Sequence, residues 1–179
     1  YWKKYRYFDE IVKICNINTN KKILDVGCGI STVLHYLNGK KFAIDPLAEE
    51  YSKVYNYPQD INIQKAFGEN IPFEDNFFDV VICSNALDHT TSPQSNVNEI
   101  YRVLKNNGFF VLTLELFDNK KIRDVAHPHS LTRQDVSTLI DSKFSRVFEK
   151  ETPWIGVSAY VNGSTKGYNN ELVGIYKKK

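Results

Sequence analysis

Residues 23–31, with the sequence ILDVGCGIS, constrain the fold more than any other segment of this chain. Apolar residues precede Gly27, and Gly29 is followed by Ser31 and Thr32, either of which can cap a helix. This order predicts a strand that runs into a glycine turn and then into a helix, as in doubly wound α/β folds. Glycines let a ligand approach the backbone closely, and a helix start supplies free N–H groups and a positive dipole. The segment therefore predicts a site for a nucleotide-like ligand.

The rest of the chain alternates between strand-like and helix-like patterns. Strands are predicted at 22–26, 42–45, 61–66, 79–84, 109–116, 144–151 and 171–177. Helices are predicted at 6–16, 32–37, 46–55 and 97–104, and behind a capping box at 132–135. Such alternation indicates an α/β domain with a mostly parallel sheet and helices on both faces. Because no helix separates the last two strands, they can pair as a hairpin, which would make one of them antiparallel.

Length and composition limit the classes of protein that fit this chain. A length of 179 residues suits one domain, so residues 1–179 are predicted to form a single unit. A net charge of +2 gives no indication of nucleic-acid binding, and no apolar run approaches the roughly 18 residues of a membrane span. The three cysteines lie far apart without metal-ligand spacing, so we expect a reduced, cytoplasmic protein with no metal site.

The N-terminal segment, residues 1–17, combines a predicted helix with several aromatic side chains. Trp2, Tyr5 and Tyr7 precede the apolar face of that helix and can form part of a lid over the ligand. Packing of these rings against the core is the alternative role.

Asp25 narrows the identity of the ligand, because it places a carboxylate beside the glycine turn. A carboxylate there would repel the pyrophosphate of a dinucleotide but would favour a ligand with positive charge nearby. Opposite charges about 4 Å apart gain on the order of 4 kcal/mol at an effective dielectric constant near 20. S-adenosylmethionine carries a sulfonium and an ammonium and no phosphate, so it fits this charge pattern. In the alternative, Asp25 only satisfies backbone donors in a tight turn.

Two further segments can contact a nucleoside. Asp45, at the end of the second strand, can accept both ribose hydroxyls, although an acid before Pro46 is also a good helix cap. In the loop after the third strand, the backbone of Gly68 can reach an adenine ring, Phe67 can cover its face, and Glu69 can accept from its amino group. An ordinary turn with a buried phenylalanine is the alternative for this loop.

The sequence resembles the class I S-adenosylmethionine-dependent methyltransferases, and most of all their type 11 group. The resemblance spans nearly the whole chain and is carried by ILDVGCGIS at 23–31, AID at 43–45, GENIPFEDNFFDVVICSNALDH at 68–89, EIYRVLKNNGFFVL at 99–112 and HPHSLTRQDV at 127–136. It implies a Rossmann-like seven-stranded sheet with one antiparallel strand near the C-terminus. It also implies S-adenosyl-L-methionine as cofactor. The cofactor-binding residues are then expected to be Asp25, Gly27, Cys28, Gly29, Asp45, Pro46, Phe67, Gly68, Glu69, Ser84 and Asn85.

This resemblance implies which residues hold each part of the cofactor. The chain also departs from the family pattern at three places. Asp25 and the two glycines would hold the methionine part, Asp45 the ribose, Gly68 and Glu69 the adenine, and Ser84 with Asn85 would lie near the reacting methyl. Phe67 stands where similar proteins often carry an acid that binds the adenine amino group, which moves that expected role to Glu69. Ser31 replaces a third glycine, and residues 106–108, NNG, replace a proline-glycine-glycine turn.

Candidate bases follow the fourth and fifth predicted strands. Methyl transfer is a direct displacement that needs alignment of the reactants and exclusion of water, and it needs a base only if the acceptor must lose a proton. Asp88, His89 and His127 are the candidate catalytic residues, with His129 beside them, because all lie at the carboxyl end of the predicted sheet. Each of them can instead be a hydrogen-bonded structural residue.

The sequence thus favours a methyltransferase that acts on a small molecule, such as a sugar, a lipid-linked compound or a metabolite. One alternative is a non-catalytic module that binds S-adenosylmethionine. A second alternative is a nicotinamide-dependent oxidoreductase, which shares the glycine turn and the acid on the second strand. Asp25 argues against the oxidoreductase, as does Thr32 at the third position of the dinucleotide spacing. The oligomeric state is left open.

Overall fold

The computed structural model of the protein describes residues 2–117, 128–153 and 170–179. The strands are β1 (Lys22–Val26), β2 (Lys40–Asp45), β3 (Ile61–Lys65), β4 (Phe78–Ser84), β5 (Leu104–Leu116), β6 (Phe144–Pro153) and β7 (Asn170–Lys178). The α-helices are α1 (Trp2–Tyr5), α2 (Phe8–Ile14), α3 (Ala48–Tyr51), α4 (Pro93–Val103) and α5 (Arg133–Ile140), and single 3₁₀ turns lie at Val33–Tyr36 and Leu87–His89. None of the described helices is long and apolar enough to cross a membrane.

The strands form one seven-stranded sheet in the order β3-β2-β1-β4-β5-β7-β6. The first five strands pair in parallel, whereas β7 runs antiparallel to both of its neighbours, β5 and β6. This arrangement confirms the predicted Rossmann-like α/β fold with one antiparallel strand near the C-terminus. The order reverses between β1 and β4, and in open α/β sheets that switch point is where ligands bind.

Helices cover both faces of the sheet, as predicted. On one face, Leu24 and Val81 of the central strands belong to the core cluster that contains the apolar sides of α4 and α5. On the other face, Ile23 and Val80 pack with Ile11 of α2 and with the first 3₁₀ turn. Neighbouring strand residues point to opposite faces, so continuous apolar runs in β1 and β4 bury both sides of these strands.

The predicted helix after the glycine turn was wrong in length, because it is a single 3₁₀ turn at Val33–Tyr36. Thr32 begins it, and its side chain accepts a hydrogen bond from the Leu34 backbone N–H at 3.1 Å. One turn buries all three apolar residues of the pattern, Val33, Leu34 and Leu37, and β2 begins soon afterwards at Lys40. So short an element has little macrodipole, and it therefore supplies no substantial helix dipole to this site.

Three other boundaries differ from the prediction. The helix predicted at 6–16 is shortened to α2, because Tyr7 before it takes a left-handed conformation with φ of 51°, and the short helix α1 was not predicted. The helix from Pro46 ends at Tyr51. Strand β5 begins at Leu104 rather than Phe109, but its register with β4 shifts between these two residues, where Asn107 has a φ of 62°. The capping box at Thr132 and Asp135 is confirmed and begins α5.

Candidate functional site

Two clefts meet at the carboxyl ends of the central strands. The first has a volume of about 440 Å³ and lies along the ends of β1 and β2 and the loop after β3. The second has a volume of about 370 Å³ and lies between the glycine turn and the N-terminal segment. Gly27, Gly29 and Asn85 line both clefts, so the glycine turn separates the two spaces without closing the path between them.

Asp25 lies at the wall of the second cleft and is only 2% exposed. Thr32 Oγ1 donates a hydrogen bond to Asp25 Oδ2 at 2.5 Å, whereas no described residue hydrogen-bonds the buried Oδ1 atom. Burial raises the pKa of the Asp25 carboxyl to about 7, the Thr32 hydrogen bond opposes this rise, and the nearby charge of Asp45 adds to it. The Asp25 carboxyl is therefore harder to ionise than an exposed aspartate, and its buried Oδ1 has no partner among the described residues.

The glycine turn depends on the absence of side chains at two positions. Gly27 has a φ of 71°, and a Cβ built there would overlap the Cβ of Ala86. Gly29 has a φ of 51°, but a Cβ built on it would meet nothing within 4 Å. Tyr57 Oη donates to the Gly29 carbonyl oxygen at 2.7 Å and holds the far end of the turn. Gly27 is thus required for close packing, whereas Gly29 is required only for its backbone conformation.

Asp45 holds the backbone around the first cleft. Its Oδ2 accepts from the Gly29 N–H at 3.0 Å, and its Oδ1 accepts from the Leu47 N–H at 2.8 Å. The side chain is 7% exposed and lines the cleft together with Pro46 and Tyr51. Carboxylate oxygens have lone pairs beyond one hydrogen bond each, so these backbone contacts leave capacity for a ligand hydroxyl.

The loop after β3 forms the opposite wall of the first cleft. The Phe67 side chain is 59% exposed, and Gly68 packs against the side chain of Asn96 from α4. Glu69 Oε1 accepts from the backbone N–H groups of Thr91 at 2.7 Å and Ser92 at 3.1 Å. One carboxylate oxygen of Glu69 therefore fixes the segment that leads into α4.

The end of β4 places the remaining predicted residues. Ser84 lines the second cleft, where its hydroxyl lies 2.8 Å from Thr113 Oγ1, and Asn85 lines both clefts with a φ of 52°. Asp88 is buried, and its Oδ1 lies 3.9 Å from His89 Nε2 at the edge of the first cleft. The buried Cys28 thiol faces the second cleft, and desolvation raises its pKa.

The other predicted bases lie apart from these clefts or outside the described part of the chain. His127 lies outside the described residues. His129 lies in a separate surface groove, where its Nε2 is 3.3 Å from the Thr91 carbonyl oxygen. No group of three or more potential metal ligands occurs in residues 2–117, 128–153 and 170–179.

Sequence reasoning missed Arg6, which reaches the second cleft from the linker between α1 and α2. Its guanidinium lies 2.6 Å from Glu171 of β7, contacts Thr113 and lies 3.4 Å from the Ser84 hydroxyl. Burial raises the pKa of the Glu171 carboxyl to about 7, and the Arg6 charge opposes this rise. Together with Trp2 and Tyr36, Arg6 lines the cleft, and the role of the N-terminal segment as a lid stays a prediction.

Asn96 is the second residue that sequence reasoning missed. It is 1% exposed and lines the first cleft. It precedes Ile100 by one helical turn, so a polar residue on the apolar stripe of α4 was the signal that could have found it.

Comparison with known proteins gives one family. Residues 24–112 match the family model described as a methyltransferase domain. An uncharacterized methyltransferase of Bacillus subtilis is 24% identical over 75% of this chain and 56% of its own length. The sterol 24-C-methyltransferase of Candida albicans is 31% identical over 53% of this chain and 28% of its own. The Burkholderia thailandensis 1,6-didemethyltoxoflavin-N1-methyltransferase superposes with a TM-score of 0.72 at 15% identity, over 96% of this chain and 76% of that one.

The chain belongs to the S-adenosylmethionine-dependent methyltransferases of this family, and S-adenosylmethionine is its cofactor. The residues present fit that molecule, because a buried carboxylate oxygen without a described partner suits its cationic end and Asp45 suits a ribose. The chain spans little more than half the length of the first curated relatives that it matches.

Proposed function

We propose that this protein transfers a methyl group from S-adenosylmethionine to a small-molecule acceptor. One observation carries the proposal: the buried Asp25 carboxyl, with its unpartnered Oδ1, lies at the wall of the second cleft, beside the glycine turn that joins both clefts. The cofactor supplies a methyl group on a positively charged sulfur. Asp25 stabilises the cationic end, and the glycine turn brings backbone close to the ligand.

The first cleft is proposed to take the nucleoside part. Asp45 accepts from the ribose hydroxyls, Pro46 and Phe67 flank the base, and Gly68 brings its backbone to the ring. Glu69 acts mainly through the loop that it fixes, since one of its oxygens already accepts two backbone N–H groups. Asn85 lies where the clefts join, which suits a residue beside the reacting methyl.

The second cleft is proposed to take the acceptor. Trp2 and Tyr36 provide aromatic faces there, and Arg6 and Ser84 provide polar ones, a combination that suits a small organic molecule. Relatives named for a sterol and for didemethyltoxoflavin support this class of acceptor. Neither Asp88 nor His89 lines the second cleft, so their role as bases for an acceptor that must lose a proton stays a prediction, as does that of His127.

Calorimetry separates this proposal from its two alternatives. We expect S-adenosylhomocysteine to bind in the micromolar range and NAD to show no binding. Binding of NAD alone would favour the oxidoreductase and contradict the charge argument. Tight binding of S-adenosylhomocysteine without turnover against a broad acceptor panel would instead favour the non-catalytic module.

The affinity for S-adenosylmethionine is expected to depend on pH. Burial raises the pKa of Asp25 to about 7 in the free protein, and a bound cation favours its ionised form. Binding therefore releases a proton below pH 7, and affinity should fall about tenfold from pH 8 to pH 6. Calorimetry in two buffers with different ionisation enthalpies should show about one proton released at pH 6 and almost none at pH 8. Equal affinity at both pH values would contradict ionisation of Asp25 on binding.

A further inference from the structure

Asn96 presents an unexplained polar group inside the apolar face of α4. The side chain is 1% exposed and lies next to Val97 and one turn before Ile100, both of which are fully buried in the core. Neither Nδ2 nor Oδ1 of Asn96 has a hydrogen-bond partner among the described residues. An amide buried without partners destabilises a protein, so a residue of this kind requires a functional or structural reason.

Asn96 lies between the core and the wall of the first cleft, beside the loop after β3. Asn96 lines that cleft, and the glycine at position 68 makes room for it. A Cβ built on Gly68 would overlap Asn96 Nδ2 and would lie 2.8 Å from its Cγ. The Asn96 amide can therefore lie at the wall of the cleft only because residue 68 is a glycine.

Two neighbouring side chains of this wall are less suited than Asn96 to recognise a base. Phe67 has no polar side-chain atom, and Glu69 Oε1 accepts from Thr91 and Ser92. An asparagine amide carries one donor and one acceptor side by side. Adenine presents the complementary pair, an amino donor beside ring-nitrogen acceptors, and asparagine recognises adenine by such a bidentate contact in nucleic acids.

We propose that Asn96 is the side chain that recognises the adenine of S-adenosylmethionine, from the position that the absence of a side chain at Gly68 leaves for its amide. The inference rests on the proposed placement of the nucleoside in the first cleft. It assigns adenine specificity to a residue of α4 rather than to the acid expected in the loop after β3. Adenine would supply the hydrogen-bond partners that the Asn96 amide lacks in the free protein. The free protein is therefore less stable with this amide, and the amide is already in place when the ligand binds.

The test compares two ligands in two variants by calorimetry. The ligands are S-adenosylhomocysteine and its analogue with hydrogen in place of the 6-amino group. The wild-type protein should prefer S-adenosylhomocysteine by about tenfold or more. In Asn96→Leu, which keeps the side-chain size, the affinity for S-adenosylhomocysteine should fall about tenfold and the preference should vanish. Asn98→Leu is the matched control, because Asn98 is exposed on the same helix and its loss should change neither affinity.

A second measurement separates recognition from a structural role. Replacing an unpartnered buried amide by an apolar group of similar shape should leave the melting temperature of ligand-free Asn96→Leu unchanged or raise it by about 2–4 °C. A fall of several degrees, or an equal loss of affinity for both ligands, would show that Asn96 only supports the fold. Retained preference in Asn96→Leu would also overturn the inference. Failure of both ligands to bind the wild-type protein would overturn the proposed cofactor site itself, and the role of Asn96 with it.

Discussion

Asp25→Asn is expected to weaken S-adenosylmethionine binding at pH 8 by about 100-fold or more while the fold stays intact. The substitution keeps the size of the side chain and its ability to accept from the Thr32 hydroxyl, but it removes the negative charge. A pair of opposite charges about 4 Å apart is worth on the order of 4 kcal/mol at an effective dielectric constant near 20. Each 1.4 kcal/mol lost lowers affinity about tenfold, so the loss of about 3 kcal/mol of this energy lowers affinity about 100-fold.

The same substitution is expected to stabilise the ligand-free protein at pH 8. Burial raises the pKa of Asp25 from its unfolded value near 4 to about 7, so the folded state binds more protons than the unfolded state between these values. Stability from this group is therefore present at low pH and is lost as the pH rises through 7. Asparagine carries no charge to desolvate, and the melting temperature at pH 8 should rise by several degrees.

Thermal melts with and without S-adenosylmethionine at pH 8 measure both effects. The variant should melt higher than the wild-type protein without ligand and should gain little from added ligand. Asp9→Asn is the matched control, because it makes the same change in net charge at a residue that is exposed on α2. A variant that retains its affinity would show that Asp25 only supports the turn.

Much of the fold could be predicted because apolar periodicity and turn residues are local signals. The run that becomes β4 has four consecutive apolar residues, and β1 has apolar residues at three of its five positions; both end at turn residues, which marks strands buried on both faces. Helix length was less predictable. The apolar residues Val33, Leu34 and Leu37 fit a long helix and a single 3₁₀ turn equally well, and the nearness of β2 decides between them.

The cofactor-binding residues expected from the sequence line the two clefts, but their chemistry could be predicted only in part. Asp25 was treated as a fixed anion from the sequence, yet its burial brings its pKa to about 7, so its charge depends on the ligand. The contact between Arg6 and Glu171 and the fit of Asn96 against Gly68 join segments far apart in the chain. A single sequence has no signal for such pairs, because they depend on strand order and on the way helices pack on the sheet.

Gly27→Ala is expected to lower the free energy of unfolding by about 3 kcal/mol, whereas Gly29→Ala should lower it by about 1 kcal/mol. Both glycines have positive φ values, so both substitutions strain the backbone by a similar amount. Only at Gly27 would the new Cβ also overlap a neighbour, the Cβ of Ala86. Melting temperatures should therefore fall by about 6–12 °C for Gly27→Ala and by about 2–4 °C for Gly29→Ala.

A substitution at Ala86 serves as the control that separates the steric overlap from the backbone strain. Adding Ala86→Gly to Gly27→Ala removes the opposing Cβ and should recover a large part of the lost stability, although the backbone strain remains. Ala86→Gly alone should destabilise the protein slightly, since glycine raises the entropy of the unfolded chain. Equal losses for the two glycine substitutions, or no recovery in the double variant, would show that backbone conformation alone requires glycine in this turn. Recovery would instead show that the turn has glycine at position 27 because the end of β4 packs directly against it.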